Sequence, residues 1–549
     1  MKKSLIYIVI LFCFSFTINY AQTFVTPKTG IDIYPFITSM QLKGLIPQLD
    51  YINQLTDTEI VKLLQSIEEK HIKELTTVEK ERLVYFKNYY TKFDKNESLL
   101  GNNIYDGVKS WAMGKDITFF KYQDSIFTVK FNPIIKIGGV RYKDENQTHI
   151  SWGVNYWGHI GSDIGFRMDF TDNTVKGNYY DPKQTYQNTN GKIYTKASKN
   201  HYEFSETNGS VTYNNKYLTL SFAKEKFTFG QGANGQLVLS DKAPSFPSIY
   251  LKLSPTDWLK FYYMHGWLIS GVTDSGKTYE TEVYTRRTEK EKYYVMHALQ
   301  ILPLPNLSIT LGETMIYSDR SIYWGYMIPF VLFRSVDHEF SYGSTDSGNN
   351  GSIFAEISGR PINNLNLYAS TFIDEFSLTN LLKGKSDRNQ LGYTVGTNVL
   401  VPNVDNLKLT VEYTKILPWV YSNWIPTQTY RNANYLMGHY IGQNADQIYI
   451  EARYNPLYNL EIIGKFAHTR NGGFGNIYDQ YHAPGEPFLY GSLRKQTEIT
   501  LSASYEFLYQ LTANLTFTHT KITDEDTKRT PSFMLGDNTV FSFMLYYGI

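Results

Sequence analysis

Residues 498–518 read EITLSASYEFLYQLTANLTFT. In an extended chain Ile499, Leu501, Ala503, Tyr505 and Phe507 share one face, and Glu498, Thr500, Ser502, Ser504 and Glu506 share the other. After a short turn, Leu511, Ala513, Leu515 and Phe517 oppose Thr512, Asn514, Thr516 and Thr518, which predicts a hairpin of two long strands. Leu407, Leu409, Val411 and Tyr413 alternate in the same way with Lys408, Thr410, Glu412 and Thr414. Alternation alone also fits a soluble sandwich, so strand length decides. Runs of about nine to eleven residues exceed the roughly five or six usual in soluble sheets and match a tilted bilayer crossing. Phe541, Phe543, Leu545, Tyr547 and Ile549 extend the pattern to the C-terminus, like the terminal strand signal of outer-membrane barrels. Strands that cross lipid must close, because an unpaired edge costs several kcal/mol per backbone group. From Asp116 to Ile549, about 24 residues per strand and connection gives an all-β transmembrane barrel of about 18 antiparallel strands, within roughly 16 to 20. The polar stretches Asp172 to Asn208 and Gly343 to Gly351 are expected as extracellular loops, and tight turns such as Asn455 to Asn459 as periplasmic.

The rest of the chain fits this reading. It has 549 residues, 53 Lys and Arg against 52 Asp and Glu, 46 Tyr, 33 Phe and one Cys. Near-zero net charge gives no electrostatic case for nucleic acid. Mean hydropathy is −0.35, and no apolar run after residue 18 approaches the roughly 20 residues a spanning helix needs. Lys2 and Lys3, the apolar run Leu5 to Ile18 and Ala21 read as a signal peptide over 1–21 that removes Cys13, so the mature chain holds no disulfide or thiolate metal site. Residues 22–115 are expected to carry a small periplasmic helical bundle between Pro47 and Phe93. Thr56 with Glu59, and Thr76 with Glu79, have capping-box spacing, followed by stripes Ile60, Leu63, Leu64, Ile67 and Leu83, Phe86, Tyr90, Phe93.

Few motifs carry chemistry. Gly230, Gly232 and Gly235 have the spacing G-x-G-x-x-G, but Pro244 and Pro247 follow and no helix can open there to meet a pyrophosphate. Asp346 to Gly351 lacks the ligands of a calcium loop. The 11 histidines show no metal-ligand spacing, and no Ser, His and acid set stands out. No cofactor, metal or catalytic residue is therefore assigned. Arg453 is expected opposite Glu461 across a turn at Pro456, an internal ion pair that fills the barrel rather than a solute path. Trp152, Tyr156 and Trp157 are expected among belt anchors, while loop aromatics could stack on sugar rings.

Several blocks resemble the Wzi-type capsule-assembly family of outer-membrane proteins, as in Bacteroidota-like members. They are Phe229 to Pro247 (FGQGANGQLVLSDKAPSFP), Asp257 to Leu259, Tyr263 to Leu268, Glu313 to Phe340, Asp374 to Phe376, Glu412 to Pro418 and Gly438 to Asp446. The resemblance implies an 18-stranded barrel preceded by a periplasmic bundle. It implies a lectin-like, non-enzymatic role at the cell surface, binding exported capsular or other surface polysaccharide and supporting its attachment and assembly. Asp319, Arg320, Arg334, Asp337, His338, Asp374, Glu375, Glu412, His439 and Asp446 are the candidates for a polar lumen and mouth, either as saccharide contacts or as a hydrogen-bonded plug. The expected partners are the polysaccharide and outer-membrane lipid, and the expected state is a monomer. The alternative is an outer-membrane porin or solute channel.

Overall fold

The computed structural model describes residues 32–48, 55–91, 104–112, 118–143, 145–178, 191–198, 200–341, 348–375, 389–481 and 485–548. The expected signal peptide, with Cys13, lies outside them, as does Ile549.

Among the described residues, four α-helices precede the sheet: α1 (Ile33–Lys43), α2 (Asp57–His71), α3 (Thr77–Thr91) and α4 (Ile104–Ala112). Both expected capping boxes form. Thr56 N donates to Glu59 Oε2 at 2.8 Å while Glu59 N donates to Thr56 Oγ1, and Thr76 pairs with Glu79 in the same way. The apolar stripes of α2 and α3 close over Ile33, Phe36, Ile37 and Met40 of α1, burying each almost completely. Helix α1 lies outside the stretch expected to be helical. It starts on Asp32, whose carboxylate accepts from Tyr34 N, and stops at Gly44 with φ of 85°, without a capping box to announce it.

Eighteen long strands then close into one antiparallel barrel. They are β1 (Phe127–Tyr142), β2 (Glu145–Ile160), β3 (Ile164–Lys176), β4 (His201–Asn214), β5 (Leu218–Glu225), β6 (Phe246–Thr256), β7 (Leu259–Trp267), β8 (Lys292–Leu304), β9 (Leu307–Ser318), β10 (Asn350–Ile362), β11 (Leu365–Glu375), β12 (Gln390–Leu400), β13 (Leu407–Ile416), β14 (Ala445–Leu457), β15 (Leu460–Asn471), β16 (Arg494–Leu508), β17 (Leu511–Asp524) and β18 (Gly536–Tyr547). The seam is β18 against β1, from Ile135 opposite Tyr547 to Tyr142 opposite Val540. Two short ribbons, Phe120–Gln123 and Lys196–Ala197, add to β1 and β4 without interrupting closure. The faces are as the alternation requires: Ile499, Leu501, Leu515 and Phe541 are 48, 53, 60 and 55% exposed on the outer wall, whereas Thr410, Glu412 and Thr414 are buried inside.

The segment Asp172 to Asn208 is not all loop. Strands β3 and β4 pair out to Lys176 and His201, with Asp172 opposite Ser205, because polar residues can continue the ladder once it has left the lipid. The expected loop at Gly343 to Gly351 is likewise shortened by β10, which starts at Asn350; residues 342–347 lie outside the described set. At the β14–β15 turn a bulge between Tyr454 and Leu457 sets Arg453 opposite Ile463, two residues from the expected Glu461. The long guanidinium still reaches Glu461 at 2.8 Å and Glu451 at 3.1 Å.

The helices seat on the short-turn end of the barrel. Gln48 N donates to Pro305 O, Asn364 N to Leu42 O, Arg82 Nη1 to Asn455 Oδ1, Tyr85 Oη to Glu506 and Trp111 Nε1 to Tyr509 O. Lys252, an inward residue of β6, pairs with Glu59 of α2. Burial raises the Glu59 carboxyl, but the Lys252 charge and the bonds from Lys252 and Thr56 outweigh this and hold it below the usual carboxylate range. A depressed carboxylate contributes stability above its unfolded pKa of about 4.3 and loses it as pH falls through the lower folded value. Acidification from pH 7 to below about 4 should therefore loosen the helices and expose residues 55–91 to an acid-active protease. Glu59→Gln should flatten that pH dependence.

Candidate functional site

Among the described residues, two connections turn into the barrel rather than away from it: residues 226–245, between β5 and β6, and 417–444, between β13 and β14. Phe227, Phe229, Leu237, Val238 and Leu239 of the first, and Val420, Tyr421, Tyr430, Met437 and Ile441 of the second, are at most 2% exposed. They pack on inward Tyr250, Tyr262, Met264, Tyr294, Met296, Phe354 and Phe372 of the wall. This part of the interior is an apolar core, beside the carboxylates expected of a polar lumen. The two segments are tied together: Tyr421 Oη donates to Leu237 O at 2.7 Å and Tyr430 Oη to Val238 O at 2.6 Å.

The glycine-rich motif is where the first segment meets wall charges. Gly230, Gly232 and Gly235 have φ of 118°, 154° and 155°, a region L side chains avoid, and so they turn successive amides toward the wall. Gln231 N donates to Glu356 Oε2 at 3.0 Å, Ala233 N to Glu412 Oε2 at 2.7 Å and Asn234 N to Glu412 Oε1 at 3.4 Å. Tyr368 Oη completes the Glu412 shell at 2.7 Å. A Cβ on Gly235 would sit 2.9 Å from the His439 ring, so the loop also needs glycine there for space. Thus the motif binds carboxylates of its own barrel.

The ten sequence candidates separate. Glu412, Asp374 and His439 are inside: Asp374 accepts from Ser352 Oγ at 3.0 Å and from Tyr421 N at 2.9 Å. His439 stacks on Tyr440 at 5.1 Å, and burial pushes its imidazole down to about 3, so it is neutral. Asp446 faces outward, sharing parity with exposed Ile448 and Ile450, and is held by Arg470 at 2.9 and 2.5 Å and by Tyr413 Oη at 3.2 Å. Glu375 ends β11, half-buried. Asp319 follows β9 and accepts from Thr427 Oγ1 at 2.9 Å while pairing with Lys290, joining the second inner segment to the rim. Among the described residues no three His, Cys, Asp or Glu side chains cluster as a metal site.

Arg320, Arg334, Asp337 and His338 lie on a flap. Residues 319–341, ending in α5 (Phe333–Ser341), fold down the outside of the wall over β7–β9. Outward Tyr263, Tyr293, Val295, Met315 and Tyr317 are buried beneath Tyr326, Phe333 and Val336. Polar groups that would otherwise face lipid are enclosed: His297 Nε2 lies 3.0 Å from Glu313, Glu313 accepts from Phe333 N at 2.6 Å, and Tyr263 Oη donates to Tyr326 O at 2.8 Å. Asp337 holds the flap's return, accepting from Asn349 N at 3.0 Å and Nδ2 at 2.7 Å. Arg334 and His338 are exposed, and Arg320 is half-buried. Sequence reasoning did not single out the flap's exposed Trp324 and Phe330, nor Tyr279 and Tyr284 of the 268–291 loop, where Tyr279 sits opposite Arg286 in a small hairpin. Consecutive charges at Arg286 and Arg287 beside tyrosines were a readable sign of an exposed polar-aromatic loop.

The sequence profile described as capsule assembly protein Wzi matches residues 137–532. Among solved structures, the Escherichia coli outer-membrane protein Wzi, involved in group 1 capsule assembly and a carbohydrate-binding β-barrel, is similar at 10% identity and TM-score 0.56, over 96% of this chain and 99% of that chain. OccAB1 of Acinetobacter baumannii aligns at 11% identity and TM-score 0.42, over 76% of this chain and 96% of that one. OprD of Pseudomonas aeruginosa aligns at 11% and 0.41, over 80% and 97%. No curated protein sequence matches the chain. The profile spans well over half of these 549 residues, and the chain belongs to the Wzi family of capsule assembly proteins.

Proposed function

We propose that this outer-membrane barrel binds exported capsular or other surface polysaccharide and supports its attachment and assembly at the cell surface, as a monomer and without a catalytic step. The observation that carries this reading, beside family membership, is the filled interior. Residues 226–245 and 417–444 occupy the space an open 18-stranded pore would leave to water, and buried carboxylates fix them there. What stays available to a polymer is the outer rim. Tyr279 and Tyr284, 56 and 62% exposed beside Arg286 and Arg287, offer ring faces and charge-assisted donors, with Arg320 and His338 at the two ends of the flap as further contacts. Asp319, Asp337, Asp374, Glu375, Glu412, His439 and Asp446 hold the shape of the site. Weak contacts repeated along a polymer accumulate avidity.

Deleting the gene should release polysaccharide into the medium while total synthesis stays unchanged. Unchanged cell-bound polysaccharide in the deletion strain would overturn the proposal. With purified barrel, Tyr279→Ala/Tyr284→Ala should lower co-sedimentation with the polymer about tenfold, two stacking contacts at roughly 0.5–1.5 kcal/mol each.

A further inference from the structure

The outer wall carries a concavity beside the barrel seam. Rows of outward side chains cross it in register: Leu501, Phe517, Phe541 and Arg141 in one, and Ala503, Leu515, Phe543 and Gly139 in the next. In the second row two of the four positions have little or no side chain. The result is an apolar groove of about 720 Å³, within the ~300–1,000 Å³ of sites that bury a small ligand. Its upper end is polar. Arg141 stands one residue before the end of β1, at the end of the barrel opposite the helices, with Asn146 of β2 as its cross-strand neighbour and Thr148 in the row below. All three are exposed, and Arg141 makes no ion pair among the described residues. Elsewhere on that face β1 presents Ile135 and Ile137 to lipid. Arg141 is thus a cation without a counter-ion among the described residues, where the apolar belt meets the headgroup layer of the outer leaflet.

We propose that the groove is a site for a phosphorylated, acylated lipid of the outer leaflet, its phosphate on Arg141 and an acyl chain in the gap over Gly139 and Ala503. Guanidinium meets phosphate bidentately, which an interfacial lysine would not reproduce. The two missing side chains explain why a chain settles here rather than anywhere on the wall. This does not depend on polysaccharide binding.

The test is native mass spectrometry of the mature barrel in a non-ionic detergent, titrated with a diphosphorylated multi-acyl glucosamine lipid, with its deacylated headgroup and with neutral diacylglycerol. The phosphorylated lipid should be retained, and the headgroup alone and the neutral lipid should not. Arg141→Gln should cut retention about tenfold, as expected for losing a charge-assisted bond. Ala503→Phe, which fills the gap without touching the charge, should do the same, while Arg141→Lys restores part of it. Both positions face outward, and heat-modifiable gel mobility reports folding. Equal retention of the neutral lipid, binding of the headgroup alone, or wild-type retention by either Arg141→Gln or Ala503→Phe would overturn the proposal.

Discussion

Replacing residues 228–243 by a short Gly-Ser turn should raise the ionic conductance of the barrel in planar bilayers at least about tenfold over the wild type, toward that of an open pore of this strand number. The segment removed supplies Phe229, Leu237, Val238 and Leu239, each at most 1% exposed, and it is what Tyr421 and Tyr430 of the second inner segment bond to. Without it the second segment loses most of its packing surface as well, so both should leave the lumen. A single change tests the same interior more gently. Glu412→Leu leaves Ala233 N, Asn234 N and Tyr368 Oη without their acceptor. At about 1–3 kcal/mol for each buried unpaired donor, the loop is released part of the time. The expected record is flickering openings in Glu412→Leu and sustained ones in the replacement. A wild type that already conducts like the replacement would show that the interior is not blocked and would favour the porin alternative.

How far the sequence alone reaches differs between wall and contents. Alternation fixes which side chains of β13 and β16 meet lipid, because a one-residue slip would turn Glu412 or Glu498 outward with every neighbour. The same parity applied to Ile448 and Ile450 would have put Asp446 outside, where it lies; its place in a family block concealed that. The capping boxes announce α2 and α3 because two side chains and two amides must satisfy one another locally. The inner segments and the flap have no such local signature. Leu237, Val420, Val331 and Phe333 are apolar residues in long connections, and nothing within a few residues says whether they cover the inside of the wall, the outside, or each other. The glycine motif shows the same limit: its turn was legible, whereas its acceptors, Glu356 and Glu412, lie more than a hundred residues downstream.

Phe330→Arg should destabilise the folded barrel by about 2–4 kcal/mol, the cost of a cation on the lipid face deep in the apolar belt. The flap reaches that depth: Phe330 stacks on Phe261 of β7 at 4.6 Å while 66% of its surface remains exposed, beside Ile328 and Leu332 at 52 and 63%. On a loop standing in water the same substitution would be nearly neutral or would aid solubility, so the sign of the effect locates the flap. Glu313→Leu acts from beneath. It removes the acceptor of Phe333 N at 2.6 Å and the Nε2 partner of His297 at 3.0 Å, leaving both polar groups under the flap with only lipid to replace it. Because Cys13 is the only other cysteine in the chain, Phe330→Cys in a Cys13→Ser background supplies a single thiol for a nitroxide label. Collision rates with oxygen, which concentrates in lipid, should exceed those with a water-soluble nickel chelate. Adding Glu313→Leu should reverse that order as the flap lifts toward the headgroups and the His297 edge of the wall is exposed. Equal access to both probes in the single variant would mean that residues 319–341 stand clear of the membrane, and the enclosed His297–Glu313 pair would then need another cover.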